Sequence, residues 1–159
     1  MMGRGPEYRE VQRPALEMLR DHFGYLAATG EELDQERASY SDVLLVGRLE
    51  KALRAINAGI TDDGVRQAVD ALRLPGGAAL GLMEANEAVH ALLSRWAIVE
   101  EMQGSGRSAK PVGRSVRYID FDNPEANEFL VVEEYTVKGP REDRRLDLVI
   151  FINGIPIVA

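Results

Sequence analysis

An Asn-Gly pair near the end of the chain constrains the fold more than any other local feature. Asn153 and Gly154 both accept positive φ, which a two-residue β-hairpin turn requires at its central positions. Two apolar runs rich in β-branched residues, 146–152 and 155–159, flank this pair. Such runs favour strands because β-branched side chains pack well on a pleated surface. The sequence therefore predicts an antiparallel hairpin in its final residues.

Two segments upstream of the hairpin also favour strands, at 116–121 and 129–137, because both are rich in β-branched and aromatic residues. Asn-Pro at 123–124 and Lys-Gly-Pro at 138–140 separate the apolar runs, as turn residues do between strands. The connections are too short for helical crossovers, so neighbouring strands should be antiparallel. Residues 114–159 are therefore predicted to be mainly strands.

The first part of the chain has a different periodicity. In residues 8–103, apolar side chains recur three and four positions apart, which is typical of amphipathic helices. The stripes are clearest in the segments 11–23, 45–56 and 82–96. Thr61, followed by two aspartates, is suited to cap one more helix. A Gly- and Ser-rich connector at 104–113 then precedes the strands.

These patterns predict one α/β domain over residues 1–159, in which a helical N-terminal part packs on a mixed or antiparallel sheet ending in the hairpin. A chain of 159 residues is ordinary for a single domain with one hydrophobic core. It has no cysteine, no N-terminal secretory segment and no apolar run near the roughly 20 residues that cross a bilayer. We therefore expect a cytoplasmic protein without a membrane partner.

The net charge of −7 argues against a general nucleic-acid-binding protein, because Lys and Arg contacts to phosphates dominate such binding. The acidic excess lies mainly in the first part, since residues 106–159 contain eight basic and nine acidic side chains. Any DNA contact is therefore expected in the second part, with Arg117, Arg144 and Arg145 as candidates. Ordinary solvated surface charge is the alternative interpretation.

Asp147 is the residue that we single out for chemistry, because it lies inside the apolar run at 146–152. A carboxylate in a buried strand is costly unless it is paired, hydrogen-bonded or bound to a metal. Strand alternation predicts that Asp147, Val149 and Phe151 share one face. The alternative is that Asp147 lies at the start of the strand and pairs with Arg144 or Arg145.

The hairpin also predicts where a partner of Asp147 would lie. With a two-residue turn, Asp147 faces the first position beyond Ala159, and with a three-residue turn it faces the second. The expected partner on the same face is thus outside the sequence. A metal-dependent nuclease needs such a partner, because hard Mg²⁺ takes oxygen ligands from carboxylates on adjacent strands. The bound cation can polarise a phosphodiester and lower the pKa of a bound water.

The hairpin block resembles the signature of type I restriction enzyme R subunits. In that family Arg-Arg-Pro-Asp opens the strand, Asn-Gly-x-Pro turns it and Glu-x-Lys follows, which is the split motif of PD-(D/E)xK nucleases. This chain has Arg-Arg-Leu-Asp at 144–147 and Asn-Gly-Ile-Pro at 153–156, with Leu146 where the family usually has Pro. The resemblance extends upstream to Gln-x-Pro-Ala at 12–15 and Ile-Asp-Phe-Asp-Asn-Pro at 119–124.

The resemblance implies a restriction-endonuclease-like fold that cleaves double-stranded DNA with Mg²⁺, Asp147 being a catalytic metal ligand. It also implies that the sequence stops before the Glu-x-Lys half of the motif. Because the family tends to place an acidic residue on its first helix, Glu17 is the candidate for an auxiliary carboxylate. Glu10, Glu17 and Asp21 share one helical face, and the alternative is that this face is merely solvated.

The partners implied by the resemblance are double-stranded DNA and the methylation and specificity subunits of a restriction complex. ATP would be used by downstream domains of the full-length subunit and not by this chain. Two other interpretations stay open. One is a catalytically inactive module of the same fold that binds DNA or a subunit, and the other is a helical interaction domain with an appended hairpin. The codons after Ala159 would separate the first of these from a nuclease.

Overall fold

The computed structural model describes residues 8–74, 81–139 and 142–159. The chain divides into two compact units, which we call the sheet unit (Met1–Arg48 with Asn127–Ala159) and the helical unit (Leu49–Ala126). Helices and a mixed sheet with a terminal hairpin occur together, so the predicted α/β class is confirmed. A single nuclease domain over residues 1–159 stays a prediction. Within the described ranges, no helix is long and apolar enough to cross a membrane.

The predicted helical segments are confirmed, with the following bounds. The α-helices are α1 (Arg13–Glu17), α2 (Val46–Ile56), α3 (Asp62–Arg73) and α4 (Leu82–Ser94). Helix α1 is flanked by π-helical turns at Tyr8–Gln12 and Met18–His22. The strands are β1 (Leu26–Thr29), β2 (Ala97–Gln103), β3 (Lys110–Val116), β4 (Phe129–Lys138), β5 (Asp143–Ile152) and β6 (Ile155–Val158).

The sheet unit contains a four-stranded sheet in the order β1-β4-β5-β6. Strand β1 is parallel to β4, while β4, β5 and β6 form an antiparallel meander, so the sheet is mixed as predicted. Its core is an apolar cluster on one face of the sheet. The buried members are Leu33, Leu45, Leu130, Val132, Tyr135, Val149 and Phe151.

The predicted hairpin joins β5 to β6 through Asn153 and Gly154, whose φ values are 53° and 79°. Asn153 is also a buried polar anchor. Its side-chain oxygen accepts a hydrogen bond from the Glu128 N–H at 2.8 Å, and its amide nitrogen donates to Asn127 Oδ1 at 2.9 Å. The turn residue therefore fixes the hairpin against the chain that enters β4, because a buried amide must satisfy its polar atoms.

The helical unit contains α3, α4 and the antiparallel ribbon of β2 and β3. Thr61 caps α3 as predicted, because its hydroxyl accepts a hydrogen bond from the Gly64 N–H at 3.0 Å. The carboxylate of Glu101 on β2 accepts hydrogen bonds from the N–H and the hydroxyl of Thr61, at 2.7 and 2.8 Å. Arg114 on β3 pairs with the same carboxylate at 3.2 Å.

These contacts predict a pH-dependent contribution of Glu101 to stability. The backbone hydrogen bond from Thr61 lowers the pKa of Glu101, with help from the Thr61 hydroxyl and Arg114 against the desolvation that raises it. A carboxyl group whose pKa is lowered in the folded state stabilises the fold at pH values above its unfolded pKa of about 4.3. This contribution is lost as the pH falls through the pKa of the folded state. Glu101→Gln should therefore lower the free energy of unfolding by about 1.5 kcal/mol at pH 7.

Denaturant unfolding at pH 7 and at acidic pH would check this expectation. The difference between Glu101→Gln and the parent chain should shrink as the carboxyl of the parent protonates. Glu100→Gln is the matched control, because Glu100 lies next in sequence and its side chain is exposed. A difference of the same size at both pH values would contradict the role of the charge.

Residues 8–103, predicted as mainly helical, contain the four α-helices and also two strands that the sequence does not predict, β1 and β2. The predicted connector 104–113 is wrong in part, because residues 110–113 belong to β3. Burial alternates along the first residues of β2 with the period of a strand, although the apolar spacing predicts a helix up to residue 96. The predicted strand 116–121 ends at Val116, because the side chain of Asn57 takes both backbone polar groups of Arg117. That backbone is therefore not available to a strand partner.

Candidate functional site

Asp147 lies on β5, opposite Glu134 of β4. The flanking register pairs are Glu133 with Leu148 and Tyr135 with Leu146, and Glu134 and Asp147 are the intervening residues. The side chain of Asp147 is exposed, so the burial expected for it is wrong. Desolvation therefore does not make this carboxylate costly, and its accessibility to a dissolved ligand becomes the relevant property.

The predicted alternation fails at Asp147 because the core face of β5 changes there. Val149 and Phe151 are fully buried in the core cluster, as expected. The next β5 residue that packs against this cluster is Leu146, three positions from Val149 rather than two. Asp147 is therefore not on the face that it was predicted to share with Val149 and Phe151.

Asp147 lines an open cavity of about 390 Å³ within the sheet unit. Its walls come from the helical segment around α1, from β5 and from the end of β6. The residues besides Asp147 are Val11, Gln12, Ala15, Arg145, Leu146, Leu148 and Ala159. Asp147 is the one carboxylate side chain among these described wall residues, and Arg145 is the one cationic side chain.

The described residues do not complete a metal site by themselves. In the part of the chain that the structure describes, no group of three or more His, Cys, Asp or Glu side chains could hold a metal ion. A single carboxylate leaves Mg²⁺ with most of its hydration shell, and binding at one such group is weak. Asp147 can therefore serve only as part of a cation site.

The ion pair of Asp147 with Arg144 or Arg145 does not form among the described residues. Arg144 instead pairs with Glu142 at 2.7 Å, and both side chains are largely exposed. Arg145 is exposed and lines the same cavity as Asp147. The guanidinium of Arg145 is thus accessible to an anion next to the carboxylate.

The other two candidate residues, Glu17 and Arg117, are not among the residues that line this cavity. Glu17 pairs with Arg13 at 2.8 Å and is not among the cavity residues, because the helical segment turns a different face to the cavity. Its role as an auxiliary ligand stays a prediction. Arg117 belongs to the helical unit, where it pairs with Asp122 at 2.7 Å and lies 5.1 Å from the ring of Trp96.

The register of β5 and β6 shifts by one residue within the hairpin. Ile152 pairs with Ile155 and Phe151 with Pro156, but Ile150 pairs with Val158, so Ile157 is an extra residue. In the shifted register a continued strand would set Ala159 opposite Val149. The position opposite Asp147 would then be the second one beyond Ala159, although the turn itself has only two residues.

Sequence reasoning missed Glu134, which lies opposite Asp147 and has a positive φ of 55°. No local signal marks it, since it is one of two glutamates within an otherwise regular strand pattern. The wall contributed by Val11, Gln12 and Ala15 was also missed. Their pattern indicated a helix but not which strand the helix would face.

The chain is similar to a protein family and to a curated protein. Residues 6–159 match the family described as "Type I restriction enzyme R protein N terminus". The chain is also 33% identical, over 156 residues, to a protein of Methanocaldococcus jannaschii with the name "Putative type I restriction enzyme MjaIXP endonuclease subunit". This similarity covers 92% of the chain and 14% of the relative, so the chain spans about a seventh of that protein's length.

Proposed function

We propose a function from the premise that the chain belongs to the family of N-terminal domains of type I restriction enzyme R proteins. Within this family, we propose that the chain is a DNA cleavage domain that hydrolyses phosphodiester bonds of double-stranded DNA with Mg²⁺. The observation that carries the proposal is Asp147, an exposed carboxylate on a strand of a mixed sheet, at the wall of an open cavity. Its position next to the hairpin agrees with the split nuclease motif.

Asp147 is proposed to supply one ligand of a divalent cation. Its exposure favours this role, because a hydrated cation can reach the carboxylate without opening the core. A second ligand is required, and the shifted β5–β6 register supports the second position beyond Ala159. The Glu of the Glu-x-Lys motif would fit this position, and its Lys would return to the same face two residues later. A cation held there would polarise the phosphodiester.

Arg145 is proposed to contact the DNA backbone beside Asp147. It lines the same cavity, and an exposed guanidinium can bind a phosphate through two hydrogen bonds. Arg144 lies one residue away and would add a weaker contact, because it must exchange its ion pair with Glu142. We also propose Arg117 of the helical unit as a separate DNA contact, for which it must exchange its ion pair with Asp122. The net charge of −7 keeps the expected affinity of these contacts low and dependent on salt.

The remaining partners are proposed for the whole protein of which this chain resembles the N-terminal part. They are the methylation and specificity subunits of a restriction complex, with ATP used by domains outside this chain. The chain spans about a seventh of its relative's length, which leaves ample polypeptide for such domains. Target recognition would then depend on other subunits.

One observation favours a second candidate function, a module of the same fold that binds DNA or a subunit without cutting. Among the described residues the cavity contains one carboxylate side chain, which by itself binds Mg²⁺ weakly. If the parent gene lacks an acidic residue at the position opposite Asp147, this candidate replaces the nuclease. Arg145 and the cavity would then serve for contact alone.

A cleavage assay of the intact R subunit, assembled with its methylation and specificity subunits, tests the proposal. With ATP and Mg²⁺, unmodified plasmid DNA should be cut, and replacing Mg²⁺ by a chelator should abolish cutting. A complex that binds DNA and is loaded with Mg²⁺ or Mn²⁺ but never cuts would overturn the nuclease in favour of the binding module. Fully methylated plasmid is the control for specific cleavage.

A further inference from the structure

We propose that Glu134 is a positioning residue for Asp147, because its left-handed backbone turns Asp147 out of the core of the sheet unit. Only the functional use of this arrangement rests on the nuclease proposed above. The arrangement itself is a property of β4 and β5. Glu134 is proposed to act through its backbone, since it is not among the residues of the Asp147 cavity and lines a different, polar cavity of about 290 Å³.

Both strands change their core face at the same register position. Along β4 the members of the core cluster are Leu130 and Val132 and then Tyr135, which breaks the two-residue period between 132 and 135. Along β5 the period breaks between Val149 and Leu146. Glu134 and Asp147 oppose each other within these gaps, and they alone are missing from the ladder that joins β4 to β5.

Glu134 has the conformation that such a change of face requires. Its φ of 55° lies in the left-handed region, which costs a residue with a Cβ about 1 kcal/mol or more. A glutamate keeps this conformation only when its surroundings stabilise it more than an extended one. We call this change of face at Glu134 and Asp147 the kink. Beside it, Tyr135 is buried in the core cluster and Leu146 packs against the cluster, and this burial supplies the stabilisation.

The neighbouring strand is adapted to the kink. Strand β1 ends at Thr29, and the N–H of the next residue, Gly30, donates to the Glu133 carbonyl at 2.7 Å. A Cβ added to Gly30 would overlap the carbonyl oxygen of Glu134. A glycine is therefore required where the chain passes the displaced backbone of β4.

The kink explains how an apolar strand can present an accessible carboxylate. In a regular strand Asp147 would share the face of Val149 and Phe151, which are fully buried, and its charge would be desolvated. A carboxylate in that environment would be neutralised or would destabilise the fold. Kinks and bulges often re-aim a side chain beside an active site.

Cysteine labelling tests the proposal in the 159-residue chain, which contains no cysteine of its own. Three single variants would be compared: Asp147→Cys, Val149→Cys as the buried control and Asp143→Cys as the exposed control on the same strand. The thiol at 147 should react with a small reagent within about threefold of the thiol at 143, and the thiol at 149 about 100-fold more slowly. Equal protection at 147 and 149 would overturn the proposal.

A second experiment adds Glu134→Val to the same three variants. A β-branched residue opposes positive φ, so the strand should straighten and the thiol at 147 should react about tenfold more slowly. General destabilisation would instead raise the reactivity of both thiols, because opening of the fold exposes residues 147 and 149 together. Unchanged reactivity at 147, with 149 still protected, would show that Glu134 does not position this residue.

Glu134→Gly keeps the proposal testable if the valine variant does not fold. Glycine adopts positive φ without cost, so Glu134→Gly should raise the denaturant midpoint or leave it unchanged. Glu133→Gly is the matched control and should lower the midpoint. An equal decrease of the denaturant midpoint in both variants would overturn the proposed role of Glu134. None of these three experiments measures DNA cleavage, so a failure here is distinct from a failure of the proposed nuclease.

Discussion

Asp147→Asn in the intact R subunit is expected to lower the rate of DNA cleavage at least about 100-fold while ATP hydrolysis continues. The substitution keeps the shape of the side chain but removes the charge that a hard divalent cation prefers. Because Asp147 is exposed and has no ion pair among the described residues, the free energy of unfolding should change by less than about 0.5 kcal/mol. The loss of cleavage would therefore not come from unfolding.

Cleavage of unmodified plasmid and release of phosphate from ATP, measured on the same preparation, would check this expectation. Asp143→Asn is the matched control, because Asp143 lies on the same strand, is exposed and does not line the cavity of Asp147. The control should cut DNA at the rate of the parent. Normal cutting by Asp147→Asn would remove Asp147 from the active site.

The elements that the sequence predicts well have their determinants within a few residues. The hairpin follows from Asn153 and Gly154, whose preference for positive φ is intrinsic. The start of α3 follows from the hydroxyl of Thr61, which bonds a backbone N–H three residues away. Local rules are sufficient in both places, and the structure agrees with them.

The elements that sequence reasoning misses depend on contacts between distant residues. The end of β3 is set by Asn57, whose side chain bonds the backbone of Arg117, 60 residues away in sequence. The ribbon of β2 and β3 becomes recognisable only when the two segments pair, because Pro111 and Gly113 weaken the strand pattern of the second. No periodicity within one segment reports such pairing.

The environment of Asp147 shows the same limit at the candidate site. Its identity as the residue of interest follows from a carboxylate in an apolar run. Its exposure depends on the backbone of Glu134 in the neighbouring strand, and the assumption of a regular alternation led to the wrong face. The one-residue shift at Ile157 likewise moves the expected partner of Asp147 from the first to the second position beyond Ala159.

The register shift at Ile157 predicts that extending the chain will raise its affinity for a divalent cation. The 159-residue chain should bind Mg²⁺ weakly and cut no DNA, because its described residues offer one carboxylate side chain at the cavity. A chain extended by about ten residues of the parent gene should continue β6 and bring a second carboxylate opposite Asp147. With two carboxylates in place of one, affinity for Mg²⁺ or Mn²⁺ should rise at least about tenfold.

Calorimetric titration of Mg²⁺ or Mn²⁺ into both chains, with plasmid nicking assayed alongside, would measure the effect. The extended chain with Asp147→Asn is the matched control, and it should lose the gain, because the partner carboxylate alone repeats the weakness of the shorter chain. A gain that survives Asp147→Asn would mean that the added residues bind the cation elsewhere. Equal binding by the two chains, or clear nicking by the shorter one, would mean that the cation site does not include the strand pair of β5 and β6. The proposed site needs a second carboxylate on the continued β6, opposite Asp147 in the shifted register.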